Sequence, residues 1–523
     1  MAEPSAKILR RTLDEALDGE ADNIDRLSAL PESVLLHILS GLELKEAAAT
    51  SVLSTTWRDL FLQRPNIELA FDIYGNPSDR SRLFHIFTLF ANRVLRQRNP
   101  EAPITSLKVS VKDFTKRMEE DYRSLLMSAA AAVYTYKVQQ FDVDLGTYNL
   151  STETSSIVLP PAMFTSETLT RLLLTLSVGW DVPENVWLPN LRYAHFIPYR
   201  LMHEDSIQRF LDGCPSLETL MFLMRVTTED ETEVKTLCIS SSSLKLLMVD
   251  WDMIDETEMN ITVKSESLER LTLYLKGGHN VNVDAPNLNF FSISGQVLDL
   301  NIIQGLPSIN EAVLDVAYTF QVSDLNEFFT RSEKVCTFFR ELQNLTLLSI
   351  SEPIMEALYD STMAMPTFRN MYKIKLIPDY SDDFPRERMQ HVLFNLLESC
   401  PKLQVLSFER IMVFSSYFID DIDFESVFPF RMLQNLKELE ILDFRDREME
   451  YKLIEFFINN GRSLEIVSLK KHFVETVALR KDIPKAIMKT WTPRQKKRLL
   501  SFLSCSEDCK IIFREKSGAI QSP

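Results

Sequence analysis

Few residues in this chain stand at spacings that could do chemistry. Cys505 and Cys509 are separated by three intervening residues, close enough to share a metal ion, but no histidine or second cysteine pair lies nearby at ligand spacing. They read as two ordinary thiols near a strand. The acidic run from Asp420 through Asp421, Asp423 and Glu425 lacks the glycine and the terminal glutamate of a calcium loop, so a solvated turn is expected there. The seven histidines form no H-E-x-x-H pair. No G-x-S-x-G elbow, G-x-G-x-x-G turn or G-x-x-x-x-G-K-[ST] loop is present, and only 12 of 523 residues are glycine. Arg494, Lys496, Lys497 and Arg498 could form an import patch, though one face of a helix is the plainer reading. The expectation is a chain with no catalytic, cofactor-binding or metal-ligating residues, whose function rests on its surfaces.

Bulk properties narrow the partners. A net charge of −17 would repel a phosphate backbone over most of the surface, which excludes nucleic acid as an expected partner. No stretch approaches 18 uninterrupted apolar residues, so no membrane span is expected. The polar, acidic first 22 residues hold no apolar core of a signal peptide and read as disordered. Six scattered cysteines suit a reducing compartment, cytoplasm and/or nucleus.

Residues 25–61 are dense with apolar side chains on short helices. Leu30-Pro31-Glu32 opens a helix, because proline is tolerated where its missing N–H has no intrahelical partner. Val34, Leu35, Ile38, Leu39 and Leu42 then make an apolar stripe, and Gly41 suits the exit. A second short helix is expected over Lys45–Ser51. A third carries Val52, Leu53, Trp57, Leu60 and Phe61. Three short helices cannot hide all of these side chains among themselves, so part of the surface needs a partner.

Leu30, Pro31, Leu35, Ile38, Leu39, Ser51, Val52, Leu53, Ser54, Trp57 and Arg58 together resemble the F-box, the docking module of Skp–cullin–F-box ubiquitin ligases. The run SVLSTTWR is similar to the plant version. Glu43 stands where a proline is usual, and Thr55-Thr56 where a basic pair is common; neither removes an apolar contact. The resemblance implies a Skp-type adaptor as partner, and a cullin through it. It assigns adaptor contacts to Leu30, Pro31, Val34, Leu35, Ile38, Leu39, Val52, Leu53 and Trp57. It also implies a noncatalytic subunit, since the thioester chemistry of such ligases belongs to other chains.

Beyond residue 100 the template apolar-x-x-apolar-x-apolar recurs, with first positions at Ile104, Val138, Leu169, Leu191, Leu217, Leu244, Leu268, Leu288, Ile309, Leu345, Met371, Leu403, Leu436 and Leu464. The mean interval, (464 − 104)/13, is near 28 residues, the length of a leucine-rich repeat. A shared lead-in strengthens the pattern. Cys214-Pro215-Ser216-Leu217 and Cys400-Pro401-Lys402-Leu403 are near copies, and Pro189-Asn190-Leu191 and Pro286-Asn287-Leu288 repeat the turn. Helix-period segments precede several lead-ins, which predicts helix, turn and strand per unit, with parallel strands and helices on the far side. Phe84, Phe87, Phe90, Val94 and Leu95 predict an amphipathic helix capping the array. Residues 423–514 resemble the FBD domain of plant F-box proteins on LQNLKELEILDF, YKLIEFFINNGRSLEIVSL and RLLSFLSCSEDCKIIF, the last closing on a final strand.

The expected architecture is therefore α/β: a short N-terminal three-helix F-box followed by an irregular leucine-rich-repeat solenoid with parallel strands. The expected divisions are a tail over 1–22, the F-box over 23–66, a capping helix within 67–103, the solenoid over 104–422, the FBD-like region over 423–514 and a tail over 515–523. Period-two alternation turns Met221, Leu223, Leu246, Met248 and Tyr274 outward on neighbouring strands, a candidate surface for an unknown protein substrate. Folded insertions could instead cover that patch. A small-molecule co-receptor would need converging basic residues, and Arg270 alone stands among these outward positions; a protein-binding scaffold outside any ligase is the other alternative.

Overall fold

Side chains that alternate between water and core make these segments strands. Leu220 and Phe222, Leu247 and Val249, and Leu271 and Leu273 are fully buried, while Met221, Met248 and Thr272 between them are half-exposed. The computed structural model describes residues 27, 30–72, 77–112, 116–146, 160–175, 179–180, 182–198, 200–201, 203–225, 235–252, 259–302, 308–317, 333, 337–360, 365–378, 386–410, 423–471, 491–505 and 509–514. The chain divides into two units, residues 1–147 and 148–523. The expected tails over 1–22 and 515–523 lie outside the described residues.

The first unit holds three short helices, Glu32–Ser40, Leu44–Thr50 and Thr55–Leu62, then the strands β1 (Asn66–Phe71), β2 (Ser106–Lys112) and β3 (Gln140–Gly146). β2 pairs parallel with both β1 and β3. Helices Pro77–Arg96 and Glu119–Thr135 return the chain between strands, joined by a 3.0 Å hydrogen bond from Asn92 Nδ2 to Ser124 Oγ. Of the residues expected on the capping face, Phe84, Val94 and Leu95 are buried, whereas Phe90 is exposed.

A parallel strand thus precedes the first template match at Ile104. β1 buries Ile67, Leu69 and Phe71 in the usual alternation. Its first template slot is filled by Arg64, so an apolar pattern passes it over.

The second unit contains β4 (Arg171–Thr175), β5 (Gly179–Trp180), β6 (Tyr193–Ile197), β7 (Arg200–Leu201), β8 (Thr219–Arg225), β9 (Thr236–Ser240), β10 (Leu246–Asp252), β11 (Met259–Lys264), β12 (Arg270–Asp284), β13 (Phe290–Ile302), β14 (Glu311–Ala317), β15 (Leu347–Ser351), β16 (Lys373–Ile377), β17 (Val405–Phe408), β18 (Glu438–Phe444), β19 (Ile466–Lys471) and β20 (Lys510–Arg514). One parallel ladder runs β4-β6-β8-β10-β12-β13-β14. It continues through β15-β16-β17-β18-β19-β20. Every predicted template segment lies on such a strand, and the CKIIF segment supplies the last.

The lead-in residues tie each turn to its predecessor. Asn190 Nδ2 donates to Glu167 O at 2.6 Å, Asn287 Nδ2 to Glu266 O at 2.7 Å, and Ser243 Oγ to Leu217 O at 3.0 Å. Ser267 Oγ repeats this on Leu244 O at 2.9 Å. The polar half of the Asn-Leu or Ser-Leu pair satisfies a backbone carbonyl one repeat back, while the leucine enters the core.

Helices were expected on the return side throughout, and part of the array departs from this. Helices Ser206–Asp212, Glu352–Asp360, Arg386–Glu398, Glu448–Asn460 and Pro493–Ser501 fill it elsewhere. Between β8 and β14 it is built of strands: β9 pairs with β11, and β11 with the second half of β12, which pairs in turn with β13. The intervals Leu268–Leu288 and Leu288–Ile309 are the shortest in the array. A strand spans about 3.3 Å per residue against 1.5 Å for a helix, so short repeats close with strands. The corner falls at Leu275–His279, where the β12/β13 register shifts. Gly295 faces it with φ +107°, and a Cβ there would lie 1.6 Å from Leu275 O.

Candidate adaptor-docking and partner-binding surfaces

The first helix of the N-terminal module starts at Pro31, its N-cap residue, and ends at Gly41 with an ordinary right-handed φ of −82°. That turn therefore needs no glycine for backbone reasons. The second helix is tied by Glu43 N–H donating to Glu46 Oε2 at 3.3 Å, and the third by Ser54 Oγ accepting from Trp57 N at 3.2 Å. The i, i+4 repeat splits the first helix into two faces. Leu35 and Leu39 turn inward onto Ala47, Trp57, Leu60 and Phe61, and Val94 of helix Pro77–Arg96 completes the same cluster.

This packing divides the expected adaptor face. Leu35, Leu39 and Trp57 are fully buried in the isolated chain, so they form the module's own core and are not a free surface. Each is large and apolar on the inward side of its helix, and so small a module has to bury such side chains to form an interior. Leu30, Pro31, Val34, Ile38, Val52 and Leu53 are exposed, with Val52 and Leu53 in the turn before the third helix rather than on it. Leu27 is exposed as well.

Sequence reading missed Arg64. Buried at the start of β1, it donates from Nη2 to Leu42 O at 3.0 Å, joining the helical module to the first strand. Burial lowers its pKa. Arg98 is buried nearby, its pKa lowered to about 10 by burial, and its guanidinium lies 5.5 Å from the Tyr136 ring centre. The signal for Arg64 was its place in the template, three residues before Ile67.

On the second unit's ladder the predicted outward residues fall into rows. Register aligns Tyr193, Thr219, Leu246, Arg270 and Phe290; one step along lie His195, Met221, Met248, Thr272 and Ser292. Leu223 and Tyr274 both sit opposite Asp250 in the third row. Met221, Leu223, Leu246 and Met248 are half-exposed and Tyr274 is exposed, so the five residues share one face of three neighbouring strands. Tyr193 OH donates to Met221 Sδ at 3.2 Å. Toward β20 the face becomes ionic: Lys373 meets the buried Glu440 at 2.6 Å, and Arg514 reaches Glu440 at 3.5 Å and Glu438 at 3.2 Å. Burial, with the nearby Glu440, raises the pKa of Glu438.

The other chemical candidates have structural roles. Asp423 Oδ1 accepts from Glu425 N at 3.1 Å as a helix cap; Asp420, Asp421 and Ile422 lie outside the described residues. Cys509 is buried and its thiol pKa raised, and the Cys505 side chain lies outside the described residues. Burial pushes the Cys400 thiol up to about 12 and the Cys214 thiol up further, so neither supplies a thiolate at neutral pH. Arg498 pairs with Glu448 and lies 3.9 Å from the Tyr451 ring centre, which makes Arg494–Arg498 part of a packed helix surface. Among the described residues, no group of three or more His, Cys, Asp or Glu could hold a metal ion.

The F-box domain family model matches residues 27–68, and the family model for the leucine-rich repeats of FBD-associated F-box protein At5g56370 matches residues 135–302. The F-box/LRR-repeat protein At4g14096 of Arabidopsis thaliana is 28% identical over 456 residues, 84% of this chain and 86% of that protein. The putative F-box/FBD/LRR-repeat protein At5g22670 of the same plant is 27% identical over 493 residues, 93% of this chain and 97% of that protein. The F-box/FBD/LRR-repeat protein At5g22660 of Arabidopsis thaliana gives 27% over 494 residues, 93% of this chain and 96% of that protein. The three-helix module lies within the matched F-box segment and the parallel ladder runs through the matched repeats, and the chain is similar over nearly all its length to Arabidopsis F-box/FBD/LRR-repeat proteins.

Proposed function

We propose that this chain is a noncatalytic substrate-recognition subunit of a Skp–cullin–F-box ubiquitin ligase. F-box domains in general bind Skp-type adaptors, and F-box proteins with leucine-rich repeats in general serve substrate recognition. The observation that carries the reading is the division of the F-box into a closed core and an uncovered apolar set. Leu35, Leu39 and Trp57 hold the module rigid, while Leu30, Val34, Ile38, Val52 and Leu53 offer apolar area to an adaptor. A cullin would join through that adaptor. A protein substrate would dock on Met221, Leu223, Leu246, Met248 and Tyr274, in the cytoplasm or nucleus, with the FBD-like region over 423–514 ending the array.

Co-purification from plant cells tests this. The wild-type chain should bring down a Skp-type adaptor and a cullin, and Ile38→Asp should lose both by setting an unpaired carboxylate in the interface. Met248→Lys with Tyr274→Lys should keep the adaptor and slow turnover of the partners it loses. A chain that captures partners through the repeats without adaptor or cullin is a scaffold outside any ligase.

A further inference from the structure

Arg171 begins β4 and Arg270 begins β12, and both stand on the outward face of the ladder. Each guanidinium lies over the aromatic ring on the next strand, Arg171 at 4.2 Å from the Tyr193 ring centre and Arg270 at 3.8 Å from that of Phe290. Among the described residues, neither makes an ion pair with a carboxylate. Stacking holds a guanidinium flat and leaves the N–H groups at its edge free for a carboxylate. Arg192 and Lys245, in the residues just before β6 and β10, differ in this respect: both pair with Glu218, at 2.8 and 3.5 Å.

The two arginines close the ends of an apolar strip. The residues aligned between them are Tyr193, Thr219 and Leu246, with Met221 and Met248 in the adjoining row. His195 lies in that row too. Burial, and then Arg171, lowers its pKa, so it is neutral at pH 7 and adds no charge to the strip. Asp250 and Glu311 border the strip at its third row and beyond Phe290. On a chain of net charge −17, two cations left for an outside partner around a methionine- and leucine-lined centre are a specific feature.

We infer that this face takes an extended acidic peptide segment of its partner, laid across the strands, with a carboxylate on Arg171, a second on Arg270 and apolar side chains on Met221, Leu246 and Met248 between them. The inference rests on the substrate-docking reading above and gives that substrate its chemical class. Its spacing follows from the fold. Four strand intervals of about 4.8 Å separate β4 from β12, about 19 Å, which an extended chain covers in about six residues. The segment should therefore carry Asp or Glu about six positions apart.

Selection from a displayed library of random peptides on the immobilised full-length chain tests this without knowledge of the substrate. The expected winners carry two acidic residues at that spacing around an apolar centre. In fluorescence anisotropy a labelled winner should bind roughly tenfold more weakly to Arg171→Gln and to Arg270→Gln, and more weakly at higher salt. No enrichment, winners without the acidic pair, or affinities within about twofold of wild type for both variants would overturn the inference. Met248→Gln with Tyr274→Gln separates it from the reading beneath it. Winners that are neutral yet lost in that double variant leave the apolar patch standing and remove only the charge selection; winners indifferent to the double variant remove the patch itself.

Discussion

Truncating the uncovered F-box residues to alanine should weaken adaptor binding in an order set by exposure and side-chain size together. Val52 is 85% exposed, Leu53 69%, Val34 41% and Ile38 38%. A buried methylene stabilises by about 0.8 kcal/mol, and Leu→Ala or Ile→Ala removes about three carbons where Val→Ala removes about two. Scaling by the area still open to an adaptor gives about 1.7 kcal/mol for Leu53, about 1.4 for Val52, about 0.9 for Ile38 and about 0.7 for Val34. The corresponding losses of affinity are about fifteen- to twentyfold, tenfold, fivefold and threefold. None of these changes should move the melting temperature much, because the side chains are uncovered in the free chain. Leu39→Ala and Trp57→Ala should behave oppositely, destabilising the first unit by about 2–5 and 3–5 kcal/mol through cavities in the module core. Titration calorimetry against a purified Skp-type adaptor, paired with thermal unfolding of each variant, measures both halves. If Val52→Ala and Leu53→Ala bind within twofold of wild type while remaining folded, the turn before the third helix is not an adaptor contact and the division of the module into core and surface is refuted.

Other perturbations test the repeats. Gly295→Ala places a Cβ against Leu275 O at the corner where β12 and β13 turn, so it should lower the unfolding free energy by more than about 2 kcal/mol in denaturant titration; an unchanged midpoint would mean the corner is not tight. Glu440→Gln removes the buried partner of Lys373. Since Lys373 keeps some solvent, the cost should be about 1–3 kcal/mol, and further loss of Lys373 in the double variant should recover part of it. His195 has its pKa lowered in the folded chain by burial and then by Arg171, so below about pH 6.5 the unfolded chain binds more protons. Its contribution is complete above that pH and declines as pH falls toward the lower folded value. His195→Gln should flatten that part of the stability profile, and a difference in slope confined to alkaline pH would contradict the assignment.

Much of this organisation is carried by local pattern. A buried strand announces itself by alternation, so each template segment from Ile104 to Leu464 could be placed on a strand from neighbouring residues alone. The polar residue before each leucine was visible as a repeat, but its hydrogen bond one turn back required the stacked units. What pattern could not decide was which of two apolar faces stays uncovered. Leu35 and Val34 are adjacent and equally apolar, and only the approach of Trp57, Phe61 and Val94 puts the first inside and leaves the second out. The first strand escaped for the converse reason. Arg64 is charged, and it takes a core slot because Leu42 O, distant in sequence, meets its guanidinium. The pairing of Arg171 with Tyr193, and of Arg270 with Phe290, is likewise a fact of register. Sequence by itself determined the order and kind of the elements, since propensity and alternation act over a few residues. Tertiary structure decided which side chains remain for partners, because exposure depends on what the rest of the chain brings against each face.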